Sequence, residues 1–220
     1  MLAIELNTNI IPHLRLEDSV SKALHLMTDF KVSHLPVVSE EKFLGLISED
    51  DLLDAENKKL TLQVFKEELI KSSVKENAHF FRAVTFSNEF QTNVVPVTNE
   101  EGGLVGTITG PVLLKALGSF AGAQEIGGMI VLEMESNQFS ISEISRIVES
   151  NEATITHLNT LIHPDTGLLN VTININKLEL ATIIASFERY EYNVIYYFGE
   201  QKFESDIHSN YRHLMNYLDI

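Results

Sequence analysis

Apolar residues along this chain recur in two registers, and the switch between them marks out its elements. Between 19 and 30 they fall at Val20, Ala23, Leu24 and Met27, the spacing of one face of a helix. Asp18 and Ser19 are both candidate N-caps for it. Over 34–39 and 43–48 the apolar residues instead form short runs, which predict two strands. Glu40-Glu41-Lys42 between those strands marks a hairpin, and a short helix follows. An extended segment, 10–16, precedes the series.

The same series returns about sixty residues later. Laying Ser33-His34-Leu35-Pro36-Val37-Val38 over Asn93-Val94-Val95-Pro96-Val97-Thr98 brings Pro36 onto Pro96. The same offset pairs Ile10 with Ile70, Val20 with Phe80, Ala23 with Ala83 and Phe30 with Phe90. One inserted residue then brings Gly45 onto Gly106 and Ser48 onto Thr109. The second copy therefore predicts an extended segment over 69–75, a helix over 78–90 and strands over 94–99 and 104–109. Neither copy, about 1–60 and about 61–118, has enough apolar surface for a core of its own. Together they make one domain of ordinary size.

A stretch rich in Gly, Ala and Ser, 119–128, reads as a linker. Beyond it lies a second domain, 129–220. Its pattern predicts a strand over 129–134, a helix over 140–150 and strands over 153–162 and 168–175. A helix over 178–190 and a strand over 194–198 follow. Ser140 and Glu143 suggest a capping box at the first of these helices. The order βαββαβ predicts an antiparallel four-stranded sheet with both helices on one face. Ile207, Tyr211, Leu214, Met215 and Leu218 predict a further helix over 204–220.

Leu35-Pro36-Val37-Val38 and the run from Gly45 through Ile47-Ser48 to Asp51-Leu52, with Val95-Pro96-Val97 and Gly106-Thr107-Ile108-Thr109 in the second copy, resemble a tandem CBS domain pair. The βαββαβ unit is similar to an ACT domain, so the fold class implied is α+β: a CBS pair followed by a ferredoxin-like, ACT-like domain. This combination resembles the acetoin-utilisation accessory family. The ACT resemblance implies an amino-acid site at the turn after the first strand, usually with a glycine. Here that turn is Glu135-Ser136-Asn137-Gln138-Phe139, without one; Asn137 and Gln138 could meet a polar ligand, or the segment is a plain turn.

The residues 48–51 have chemistry of their own. Ser48 ends a strand, and Asp51 lies in the first turn of the next helix. A carboxylate accepts two hydrogen bonds and suits the vicinal hydroxyls of a ribose. A hydroxyl with free helix N–H groups suits a phosphate. A serine ahead of acidic residues is equally an ordinary helix cap. The resemblance implies the binding role: Asp51 on ribose, Ser48 on ribose or phosphate, Pro36 among the apolar strand residues beside an adenine. Ligands typical of CBS pairs are AMP, ADP, ATP and S-adenosylmethionine. His34 is the one candidate for a phosphate-binding cation, and otherwise a packing residue. In the second copy Thr109 is present, but Val112 stands at the place of Asp51 and Pro111 precedes it. At most one competent nucleoside site per chain is expected, in the first copy.

Composition narrows the function. The net charge of −15 disfavours non-specific binding to nucleic acid or anionic membrane. There is no cysteine, hence no disulfide, thiolate metal site or thiol nucleophile. No secretory signal and no apolar run of roughly 20 residues is seen, so a cytoplasmic location is expected. G-x-S-x-G, Walker, H-E-x-x-H and G-x-G-x-x-G patterns are missing. The reading is a small-molecule sensor rather than an enzyme. It needs no cofactor, takes an adenine-containing effector and signals by a conformational change to a protein partner. The resemblance implies a homodimer. The alternative is an interaction and dimerisation scaffold with a decayed nucleotide site.

Overall fold

The computed structural model describes residues 1–55 and 57–199. The chain divides into two compact units, Met1–Leu117 and Gly118–Ile220. The helix expected over 204–220 lies outside the described residues.

In the first unit each repeat builds a small three-stranded sheet. The first contains β1 (Leu14–Arg15), α2 (Val20–Phe30), β2 (His34–Ser39), β3 (Lys42–Ser48) and α3 (Glu49–Leu53), preceded by a short α1 (Ala3–Leu6). β1 runs parallel to β2, and β2 is antiparallel to β3. The second contains β4 (Val74–Lys75), α4 (Phe81–Glu89), β5 (Val94–Thr98), β6 (Leu104–Thr109) and α5 (Gly110–Phe120), paired in the same way. The extended segments expected over 10–16 and 69–75 keep only two residues each in the sheet. Ser19 is the N-cap of α2, accepting from the Lys22 N–H, while Asp18 accepts from the Arg15 N–H and the Lys22 ammonium. Burial acts to raise the Asp18 pKa, but those hydrogen bonds and charges outweigh it and hold the carboxyl below its usual value.

Each repeat is completed by the lead-in segment of the other. Ala3 is fully buried in the core of the second repeat, with Phe80, Ala83, Val95 and Ile108. Leu62 and Leu69, which follow the first repeat in sequence, are buried in its core with Val20, Leu35 and Ile47. The backbone bonds repeat as well. Ala3 N–H donates to Ala78 O and Ile4 N–H to Glu76 O; Leu62 N–H donates to Asp18 O and Gln63 N–H to Leu16 O. Burying a Leu or Ile side chain contributes roughly 1.5–3 kcal/mol. The exchange therefore ties the two repeats to each other.

The second unit has β7 (Gly128–Met134), α6 (Ile141–Glu149), β8 (Ile155–Ile162), β9 (Leu169–Ile175), α7 (Ala181–Arg189) and β10 (Asn193–Phe198). The strand order is β10-β7-β9-β8 with every pair antiparallel. Ile130, Leu132 and Met134 of β7 pack with Ile144, Ile147 and Val148 of α6 and Ile183 and Phe187 of α7. One face of the sheet thus carries both helices. α5 continues to Phe120, into the stretch expected as linker, and β7 begins at Gly128. At α6 the Ser140 hydroxyl accepts from the Glu143 N–H, but the carboxylate of Glu143 does not close a box. It instead accepts from the Tyr192 hydroxyl at 3.0 Å and faces Arg146 at 3.5 Å.

Candidate functional site

The candidate site is built where β3 hands over to α3. Ser48, the last residue of β3, has extended backbone and caps α3, accepting from the Asp51 N–H at 3.1 Å. Its hydroxyl donates to Asp51 Oδ2 at 2.5 Å. The capping arrangement is therefore made by these two residues alone. Asp51 Oδ1 receives no hydrogen bond from the described residues. Glu49, Asp50 and Asp51 all lie in the first turn, where the helix dipole favours acidic groups.

His34 stands across the hairpin from Ser48 as its direct strand partner. Only 7% of it is exposed. Its Nδ1 lies 2.9 Å from Ser33 Oγ. Burial pushes its pKa below the ordinary histidine value, opposed by the charges of Asp51 and Asp50. A buried imidazole whose pKa is lowered carries less positive charge at a given pH than a free one. Pro36 is buried on β2 opposite Leu46.

Gly45 explains why this strand pair can be crossed closely. A Cβ there would come within 2.7 Å of Leu69 Cβ and 2.9 Å of Ile70 O. Ile70 exchanges both backbone hydrogen bonds with Leu46. The chain leading into the second repeat therefore lies directly on β3. In the second repeat the equivalent crossing is made by Asn7, Thr8 and Asn9 over Gly106, with Thr8 and Thr107 exchanging backbone bonds. The two crossings thus differ in chemistry: apolar over β3, polar over β6. Thr109 ends β6 opposite Val94, and Val112 is half-buried against the second repeat's core. Thr109 belongs to the other repeat and is not brought together with Ser48 and Asp51 by any contact described.

The residues that sequence reasoning passed over are Ser33 and Asn93. Ser33 N–H donates to Asn93 Oδ1 at 3.0 Å, Ser33 Oγ to the same atom at 3.2 Å, and Asn93 Nδ2 to Lys31 O at 3.1 Å. The two residues are equivalents under the sixty-residue offset. That equivalence was the one signal pointing to them. Among the described residues no group of three or more His, Asp or Glu side chains is arranged to hold a metal ion. No described helix is long and apolar enough to cross a membrane. At the turn after β7, Gln138 accepts from the Glu135 N–H through Oε1 at 3.0 Å, so that oxygen is used in closing the turn.

Residues 4–58 match the CBS domain family. A CBS domain pair/ACT domain protein from Thermotoga maritima superposes with a TM-score of 0.50 at 23% sequence identity, covering 55% of this chain and 98% of that one. That likeness establishes the fold over the aligned part. CBS domains of a transcriptional regulator from Streptococcus pneumoniae superpose with a TM-score of 0.46 at 18% identity, covering 52% and 98%. A protein of proposed role in acetoin utilization from Vibrio cholerae gives 0.46 at 21% identity, covering 56% and 95%.

Proposed function

Because the chain carries a CBS domain over residues 4–58, within an α+β fold shared with a CBS pair/ACT protein, we propose that it is a regulatory protein binding one adenine-containing ligand per chain. AMP, ADP, ATP and S-adenosylmethionine are the candidates, and the cleft of the first repeat is the site. The observation that carries the reading is the Ser48–Asp51 pair at the start of α3. Asp51 Oδ1 remains available for ribose hydroxyls, and Ser48 can turn its hydroxyl from Asp51 to the ligand. Val112 leaves the second repeat without that acceptor. Losing a charged hydrogen-bond acceptor costs about 1.5–3 kcal/mol, or one to two decades of affinity.

The protein acts by binding, not catalysis. Occupancy shifts an equilibrium between two arrangements, which requires different affinity for each. A homodimer, a cytoplasmic location and a responding protein partner belong to this proposal. The second reading is a dimerisation scaffold whose site has decayed. It is favoured by the closed Ser48–Asp51 cap and by Val112.

Thermal unfolding with and without each ligand separates the two. Ligand at about 100 times its Kd adds roughly 2.7 kcal/mol, a shift on the order of 5–10 °C for a chain of this size. A shift present in the natural protein and lost in Asp51→Asn supports the sensor. No shift with any of the four ligands supports the scaffold.

A further inference from the structure

The hydrogen bonds around Ser33 bear on which nitrogen of His34 carries its proton. Asn93 is oriented at both ends by backbone groups of unambiguous polarity. The Ser33 N–H can only donate, so the atom 3.0 Å from it is the amide oxygen. The Lys31 carbonyl can only accept, so the atom 3.1 Å from it is the amide nitrogen. Ser33 Oγ lies 3.2 Å from that oxygen, and in that contact the hydroxyl is the donor. The remaining contact of Ser33 Oγ, at 2.9 Å, is His34 Nδ1. With its hydrogen already used, the hydroxyl can only accept from Nδ1. Neutral His34 is therefore the Nδ1–H tautomer, and Nε2 bears a lone pair.

His34 stands beside the Ser48–Asp51 pair. The ring is the cross-strand neighbour of Ser48, and cross-strand partners project on one face. Asp51 and Asp50, both on α3, are the charged groups that act on it. Among the described residues nothing hydrogen-bonds Nε2, and it is not one of the sealed, unpartnered polar atoms.

We propose that the second repeat, through Asn93 and Ser33, locks His34 as a hydrogen-bond acceptor, so that the first cleft selects a ligand group that donates a hydrogen bond, an amine or a hydroxyl, over an anionic one. This rests on the nucleoside reading above only for the identity of the ligand. Ser33 and Asn93 are positioning residues. They touch no ligand and act through the imidazole.

The test has two arms. The first uses the ligand-free full chain and reads the 15N shifts of the His34 ring by NMR near pH 7.5. The expected result is a protonated Nδ1 and an unprotonated Nε2. Ser33→Ala and Asn93→Ala are expected to give mixed tautomers, while Ser33→Thr, which keeps the hydroxyl, retains the natural signature. A fold that survives with unlocked shifts separates this role from a merely structural one. A protonated Nε2 in the natural protein overturns the proposal, as does an unchanged spectrum in both alanine variants. The second arm measures adenosine and AMP affinity against pH. An acceptor at Nε2 predicts that adenosine affinity falls, by up to about tenfold per pH unit, as His34 takes up a proton. A histidine that instead holds phosphate predicts that AMP affinity rises on acidification, which also overturns the proposal. If neither compound binds at any pH, the nucleoside reading fails, and the first arm still decides the tautomer.

Discussion

The backbone N–H of Ala3 donates to the carbonyl of Ala78 at 2.8 Å, so the first residues of the chain are built into its second repeat. The Ala3 side chain is completely buried there, with Phe80 and Ile108 in the same core. A charged side chain at that position has no partner and no room. Ala3→Asp is expected to destabilise the first unit by about 2–4 kcal/mol. The check is native-state hydrogen exchange. Protection should fall first in β5 and β6, not in β2 and β3, although residue 3 precedes the first repeat in sequence. An effect confined to β2 and β3 would contradict the exchange of lead-in segments.

Gly45 and Gly106 occupy equivalent positions but face different neighbours. A Cβ on Gly45 meets the Leu69 Cβ and the Ile70 backbone carbonyl, neither of which can move alone. A Cβ on Gly106 meets the ends of the Asn7 and Asn9 side chains, which give more readily than backbone, although Asn7 Nδ2 is held by the Val105 carbonyl. Both glycines have a backbone φ that an L side chain rarely adopts, so both alanines are strained; Gly45→Ala is expected to cost about 2–4 kcal/mol and Gly106→Ala less, by the difference in how far the neighbours can give. Urea unfolding of the two variants checks the order. Equal losses would show that the polar crossing is as rigid as the apolar one.

The hairpin joining β2 and β3 turns through two residues, Glu40 and Glu41, both with positive φ (49° and 68°). A two-residue turn of this kind favours Asn followed by Gly, and a side chain in the left-handed region costs roughly 1 kcal/mol. The double change Glu40→Asn, Glu41→Gly is therefore expected to raise stability by about 1 kcal/mol. It also removes two like charges from the turn. Thermal or urea midpoints measure it, and a decrease would show that these glutamates have a compensating role.

His34 makes stability depend on pH with a definite sign. Burial, the largest cause, lowers its folded pKa below the ordinary value of 6.5, while Asp51 and Asp50 resist that shift. The unfolded chain therefore binds the proton more readily than the folded one. The contribution of the buried neutral ring is complete above about pH 6.5. It is lost progressively as pH falls from there to the folded pKa. Unfolding free energy measured between pH 7.5 and 5 should decline, and His34→Asn should flatten that part of the curve. A slope unchanged in His34→Asn would assign it to other groups.

Much of this architecture was open to inspection in the sequence because it rests on local regularity. The helix spacing of Val20, Ala23 and Met27, the paired Pro36 and Pro96, and the βαββαβ order all follow from periodicities that neighbouring residues impose on one another. The Ser48–Asp51 cap is local too, three residues apart, and its polarity needs nothing beyond the turn that holds it. The N-terminal α1 was not legible. Its helix is only four residues long, and Ala3 is core solely because another repeat surrounds it.

The offset of sixty set Ser33 and Asn93 side by side as equivalents, and the sequence by itself could say no more of them. That equivalents also touch is a property of how the two repeats pack in three dimensions, since no local pattern encodes which residues meet across a pseudo-symmetric contact. The protonation of His34 follows from that contact. An imidazole alone accepts either tautomer; it is the Lys31 carbonyl and the Ser33 N–H, backbone groups placed by tertiary structure, that orient Asn93 and leave only one. The sequence determined which groups stand at the start of α3 and at the head of β2, and the tertiary structure decided which of them meet the second repeat.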